Sequence, residues 1–452
     1  MWDCFMKKDL TQGNVTKSIL LFAAPMILGN LLQQCYNIVD MLIVGRALGA
    51  GALAAVGAAY TLMTFLTSVL IGMCMGSGTV FSFYFGKGDD RRMKEGMTAS
   101  FLFITAVTIA MNILVFAAID PILRMLKIPA DIHEMMREYV WIIFWGIFFI
   151  FLYNYFAFAL RAVGNSVIPL WFLGISSVAN IVLDVVLVMG IHMGVAGAAW
   201  ATVLSQIIAG AGIGFYTWIK EPLLRFPMGV RSFMESRKSL PEIVHFSLAA
   251  SIQQSVMNFG ILMIQGLVNS FGTAVMAAFA AAVKIDSFAY MPAQEFANAF
   301  SIFISQNRGA GKQDRVDQGV RSSVKMSMLF CIVVSVFVVL MAKYLMMIFI
   351  QPTETDIIQI GIGYLRIEGT FYCGIGLLFL WYGYYRAIGQ PEMSVVLTVI
   401  SLGTRVLLAY TLAPVEGIGV YGIWWAIPIG WFLADVTGYV YMMRNRKKAK
   451  GR

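Results

Sequence analysis

Residues 48–100 align without a gap with residues 271–323, and both copies run through apolar stretches of membrane length. The matched pairs include Gly49/Gly272, Ala55/Ala278, Ser82/Ser305, Gly86/Gly309, Gly88/Gly311, Arg92/Arg315 and Gly96/Gly319. After a two-residue slip the register resumes at Tyr139/Tyr364, Arg161/Arg386, Gly164/Gly389, Gly194/Gly419 and Trp200/Trp425. A duplicated polytopic chain is a common plan for secondary transporters, which handle substrate between two halves that rock against each other.

Composition narrows the class further. With 59% hydrophobic and 13% charged residues and a mean hydropathy of +0.77, the chain is an integral membrane protein and not a soluble globule. A bilayer core takes roughly 20 apolar helical residues per span. Twelve candidate spans are predicted, near 17–44, 53–85, 98–120, 135–160, 167–190, 197–219, 241–267, 275–305, 322–343, 357–385, 391–412 and 421–443. Six fall in each repeat, so the expected fold is all-α and integral to the membrane, with two pseudo-symmetric six-helix lobes. The expected boundaries are 1–220 for the N-lobe, 221–242 for a connector carrying Pro222, Pro227 and Pro241, 243–443 for the C-lobe, and 444–452 for a basic tail.

The net charge of +9 does not imply a nucleic-acid partner, because the cations gather in alternate loops. One set holds Lys7, Lys8 and Lys17, then Lys87 to Lys94, Arg161, Lys220 to Lys238, Arg308 to Arg321, Arg386 and the tail; the other holds Arg46, Arg124, Lys127, Arg137 and Lys343. Short cationic loops stay cytoplasmic, so both termini are expected inside. The first apolar run is span-length and lacks a small-residue cleavage site, so no cleavable leader is expected. Cys4, Cys35, Cys74, Cys331 and Cys373 have neither disulfide nor metal spacing and read as small apolar fillers. With three scattered histidines, no metal centre or hydrolase triad assembles, and an enzyme is not expected. The short segments Gly86 to Gly88 and Gly309 to Gly311 read as tight turns between spans.

A carboxylate at membrane depth costs about 2.5–3.5 kcal/mol to insert and marks function by default. On the first span Gln33, Tyr36, Asn37 and Asp40 share one helical face, with Pro25 about four turns earlier to bend the helix and free carbonyls. On the fifth span Ser176, Ser177, Asn180 and Asp184 form a second polar stripe, and on the sixth Ala198 and Thr202 lie four apart. Two carboxylates, Asp40 and Asp184, with an amide oxygen, a hydroxyl and a carbonyl suit a hard cation or a shared proton. In the other repeat these positions hold Met263, Arg405, Ala409 and Ile427, so ion chemistry is expected in the N-lobe. The C-lobe has polar candidates of its own in Lys284, Asp286, Glu295, Arg366, Glu368, Arg405 and Asp435. Lys284 with Glu295, or Arg366 with Glu368, would neutralise each other.

These features together resemble the multidrug and toxic compound extrusion (MATE) family. The resemblance rests on "NIVDMLIVGRALG" around Asp40, "FGKGDDRR" from Phe85, "QNRGAGKQDR" from Gln306, and the paired "RAVGNS" from Arg161 and "RAIGQP" from Arg386. It spans essentially the whole chain. It implies a monomeric inner-membrane antiporter with twelve helices in two lobes. The export of amphipathic organic cations and other compounds would be driven by inward Na+ or H+, with lipid as the only other partner and no cofactor beyond the transported ion. It also implies a cation site at Asp40, Asn180, Asp184 and Thr202, and a substrate cavity faced by Gln34, Tyr36, Asn37, Tyr139, Asn154 and Ser177. Moving one positive charge outward against 100 mV costs about 2.3 kcal/mol, which exchange for an inward cation cancels. Two rivals are a flippase for lipid-linked precursors, which would need Lys284 and Arg405 around a cationic cavity, and a passive channel, which would need no carboxylate pair.

Overall fold

The computed structural model describes residues 9–125, 130–227 and 230–450. Cys4, Lys7, Lys8, Lys127 and the last two residues of the tail lie outside them, as do the side chains of Arg231 and of residues 446–450. Long apolar runs become helices because a helix satisfies its own backbone polar groups where no water can. In chain order these are α1 (Val15–Leu48), α2 (Ala50–Lys87), α3 (Asp90–Met125), α4 (Ala130–Ile143), α5 (Ile147–Ala162), α6 (Val167–Asp184) and α7 (Gly194–Lys220). A short α8 (Val230–Ser236) lies in the connector, followed by α9 (Leu240–Asn269), α10 (Thr273–Gly309), α11 (Gln313–Met346), α12 (Thr355–Thr370), α13 (Tyr372–Ala387), α14 (Pro391–Leu412) and α15 (Val420–Lys450).

Among the described residues ten helical stretches are long and apolar enough to cross a membrane, with α4 and α5 counted as one. The expected span at 357–385 is divided at Phe371 into α12 and α13, each of 16 residues. The last, α15, carries Pro428, Asp435 and several Trp and Tyr, which lower its hydropathy without shortening it. Proline also falls inside α1, α3 and α10, at Pro25, Pro121 and Pro292, and α3 leaves helical geometry at Ala118.

The described chain forms two compact units. The first takes residues 24–251 with 9–12 and 305–311; the second takes 13–23, 252–304 and 312–450. In the first unit Tyr155 is fully buried among Phe81, Phe101, Phe151 and Phe226, and its hydroxyl donates to the Met97 carbonyl at 2.7 Å. In the second, Phe279 stacks on Trp424 at 5.5 Å, and Tyr364 meets Trp424 edge-on at 4.8 Å.

The repeat is also visible in the backbone. Gly88 closes α2 with φ 71° and its repeat mate Gly311 has φ 70°, the left-handed cap conformation that glycine adopts without steric cost. Gly86 and Gly309, expected to belong to the same turns, are instead helical residues. Their role is close approach, because a side chain at either would strike backbone. Of the cysteines, Cys74 and Cys331 are buried fillers as expected, whereas Cys35 is exposed.

Candidate functional site

The first unit contains an open cavity of about 300 Å³ walled by α1, α2, α4, α5, α6 and α7. From α1 the stripe Gln33, Tyr36, Asn37 and Asp40 faces it; from α6 come Ser176, Ser177 and Asn180; from α7 come Thr202, Ser205 and Gln206. Tyr139 and Asn154 complete the expected set, and Tyr60, Thr64 and Thr67 of α2 add a hydroxyl wall. Gln34 is the exception, being absent from the wall while Gln33 is on it. One residue turns a helix by about 100°, which carries Gln34 past the edge of the arc that Gln33, Tyr36, Asn37 and Asp40 span. Among the lining residues Asp40 is the one carboxylic acid, and no Lys, Arg or His joins it.

Asp184 lies one turn beyond Asn180 on α6, fully buried and behind the wall. Its carboxyl comes within hydrogen-bonding reach of Asp40, joining the two stripes across the α1 and α6 faces. A π-helical turn, Val185–Gly190, follows Asp184 directly; such turns recur at functional positions because they break the regular carbonyl ladder. Asn180 is 1% exposed. Both of its side-chain polar atoms, both Asp184 carboxyl oxygens and Oδ1 of Asp40 are buried with no hydrogen-bond partner in the protein. Buried polar atoms are nearly always paired, so this concentration of orphans is chemically incomplete without a proton or a cation.

Thr202 Oγ1 donates to the Ala198 carbonyl at 3.1 Å and approaches the Tyr139 hydroxyl. Ala198 is fully buried and off the wall, so its place in the group runs through Thr202. Around the wall Asn37 Nδ2 donates to the Tyr60 hydroxyl at 3.3 Å, and Asn154 Nδ2 to the Ile150 carbonyl at 2.9 Å. Among the described residues no three His, Cys, Asp or Glu converge as metal ligands. Two carboxylates with neutral oxygen donors instead match the needs of a hard monovalent cation. Sequence reasoning missed the α2 hydroxyls and Gln206, although Tyr60, Thr64 and Thr67 recur at spacings of three and four, the same signal that identified α1.

In the second unit Asp286, Glu368 and Arg405 come together, whereas Lys284 and Glu295 do not join them. Asp286 is 2% and Glu368 is 3% exposed. Their carboxyls are within hydrogen-bonding reach of each other, with Tyr364 beside them and the Arg405 guanidinium close enough to act on both. The Tyr372 hydroxyl donates to Asp286 Oδ1. Arg366 cannot neutralise Glu368, since residues two apart on a helix point in nearly opposite directions, and Arg366 is exposed. Lys284 and Glu295 are eleven residues apart on α10, about 16 Å of rise. Glu295 instead accepts from Asn298, whose Oδ1 accepts from the buried Arg386. By the repeat, Asp286, Tyr364, Glu368 and Arg405 stand where Met63, Tyr139, Ile143 and Asn180 stand in the first half, and all four of those line the cavity. The second half therefore builds a polar cluster at the equivalent place, with its acids at positions other than the mates of Asp40 and Asp184. The Arg405 guanidinium thus has two acids within its electrostatic reach and Lys284 is not beside it, an arrangement unlike a cationic cavity for a diphosphate.

The MatE family model matches residues 25–186 and 249–411. The chain is 32% identical to the probable multidrug resistance protein YpnP of Bacillus subtilis (strain 168) over 441 residues, covering 98% of each. It is 28% identical to the probable multidrug resistance protein YoeA of the same organism over 446 residues, covering 97% of this chain and 96% of that one. Its fold matches that of a MOP superfamily transporter from Pyrococcus furiosus with a TM-score of 0.90 at 24% identity, covering 98% of both chains.

Proposed function

The chain belongs to the multidrug and toxic compound extrusion family of membrane transporters, and from that membership we propose that it is an efflux antiporter. It exports amphipathic organic compounds, cations among them, in exchange for inward Na+ or H+. The observation that carries this reading is the joined group of Asp40, Asn180 and Asp184, five of whose polar atoms are buried without a protein partner. Two carboxylates this close in a low-dielectric setting do not both remain charged unless a cation lies between them. The adjoining cavity supplies aromatic faces and neutral hydrogen-bonding groups with Asp40 as its acid, a lining suited to an amphipathic cation.

Antiport then follows from competition. Substrate draws on the Asp40 carboxylate, and the coupling ion neutralises the same group, so each weakens the other's binding. The protein lies in the cytoplasmic membrane with both termini inside, an orientation supported by the distribution of Lys and Arg. Counter-transport in proteoliposomes tests the proposal, with sodium and pH gradients imposed separately. Substrate accumulation driven by at least one gradient is expected. Flux indifferent to both is the signature of a passive channel and would refute antiport.

A further inference from the structure

We propose that Asp435, in the last helix, is a proton-binding group separate from both acid clusters described above. Asp435 lies nine residues before Arg444, where the basic tail begins, about 13 Å along the helix and so well inside a hydrocarbon core of about 30 Å. It is 8% exposed, and its Oδ1 is buried with no hydrogen-bond partner. Among the described residues no Lys, Arg or His stands against it. The titratable group facing it is Tyr382 of α13, whose hydroxyl is engaged by Thr398 of α14.

The small residue Gly374 of α13 packs beside the carboxylate: a Cβ there would lie 3.8 Å from Oδ2 and 3.4 Å from the Trp431 side chain, ordinary van der Waals distances. In the first half the equivalent positions are Gly210 and Phe149, and there the glycine lies against the Phe149 backbone so closely that a Cβ would strike its carbonyl. The second half thus keeps the contact but exchanges the sides, moving the small residue to α13 and placing an acid on α15. A single carboxyl with one phenol nearby and aromatic carbon around it lacks the five or six oxygens a metal cation takes up. A proton cancels the buried charge, which is the larger cost of placing a carboxylate there, without further ligands.

The test uses the full-length protein in lipid and infrared spectroscopy of the carboxyl C=O stretch, which is distinct for protonated and ionised acids. The expected result is a protonated-carboxyl band at neutral pH that is absent in Asp435→Asn, displaced in Asp435→Glu, and unchanged when Na+ is added. Should the amide variant fold poorly, the displacement in Asp435→Glu decides the matter. Spectra of both variants superposable on wild type would overturn the proposal, as would loss of the band on adding Na+ at constant pH. The readout is independent of transport, so it stands or falls apart from the antiport mechanism.

Discussion

Gly86 and Gly309 occupy equivalent places in the two repeats, and each lies against backbone beside the other. A Cβ on Gly86 would fall on the carbonyl of Gln306, and a Cβ on Gly309 on the carbonyl of Phe83. Phe83 and Gln306 are themselves repeat mates, so the contact is reciprocal. Around it Ser305 Oγ donates to the Thr79 carbonyl at 2.8 Å and Gln306 Nε2 to the Ala162 carbonyl at 2.6 Å. Small residues substitute here for the hydrophobic drive that lipid cannot provide between helices.

Gly86→Ala and Gly309→Ala should therefore each destabilise by about 1–3 kcal/mol, the usual cost of overpacking a site that cannot relax, because the obstructing atom is backbone. Gly57→Ala is the control, since nothing lies within 4 Å of its added Cβ and alanine favours the helix by roughly 0.5–1 kcal/mol. Thermal unfolding of the three variants in one detergent separates them. Equal melting temperatures would show that the crossing tolerates a methyl group.

Asp40→Asn and Asp184→Asn should each abolish ion-driven export while the protein remains folded in the membrane. Each substitution removes a charge from a group that needs both acids to hold a cation. Glu368→Gln should do less harm, because Glu368 belongs to a cluster that Arg405 and Tyr364 already serve. Export rates normalised to protein amount test this, and full activity in Asp40→Asn would refute the cation site.

Substrate affinity in wild type should fall as sodium rises, as pH falls, or both, since ion and substrate draw on the same carboxylate. The sign follows from occupancy: more protons or sodium ions leave less negative charge for a cationic ligand. Fluorescent-substrate titrations at stepped Na+ and pH measure it. In the Asp40→Asn variant the dependence should flatten.

Gly146→Ala should change substrate preference more than stability. Its Cβ would meet Oε1 of Gln206, the mobile end of a side chain that lines the cavity, so the amide swings into the space that substrate takes. A panel of substrates of graded size should lose its larger members first. Uniform loss across the panel would point to damage elsewhere.

For topology, Lys238→Cys in the connector should label only from the cytoplasmic side and Lys343→Cys only from outside, in a background lacking the 5 native cysteines. Both positions are exposed. Labelling of the connector from outside alone would invert the orientation.

Hydropathy and the repeat determined the helical membrane fold of this chain, because a run of apolar residues in lipid has few ways to satisfy its backbone. Helical spacing determined which face of α1 and of α6 is polar, and so brought Asp40, Asn180 and Asp184 forward as one group. Only the tertiary structure decided which stripes meet. Helical spacing places Gln33 on the polar face of α1 while the family resemblance points to Gln34, and it is Gln33 that lines the cavity. The partners of Glu368 were invisible in the sequence, since Arg366 is near it in sequence while Asp286 and Arg405 arrive from other helices. Local spacing fixes what one helix offers, and the packing of helices far apart in sequence fixes what that face touches.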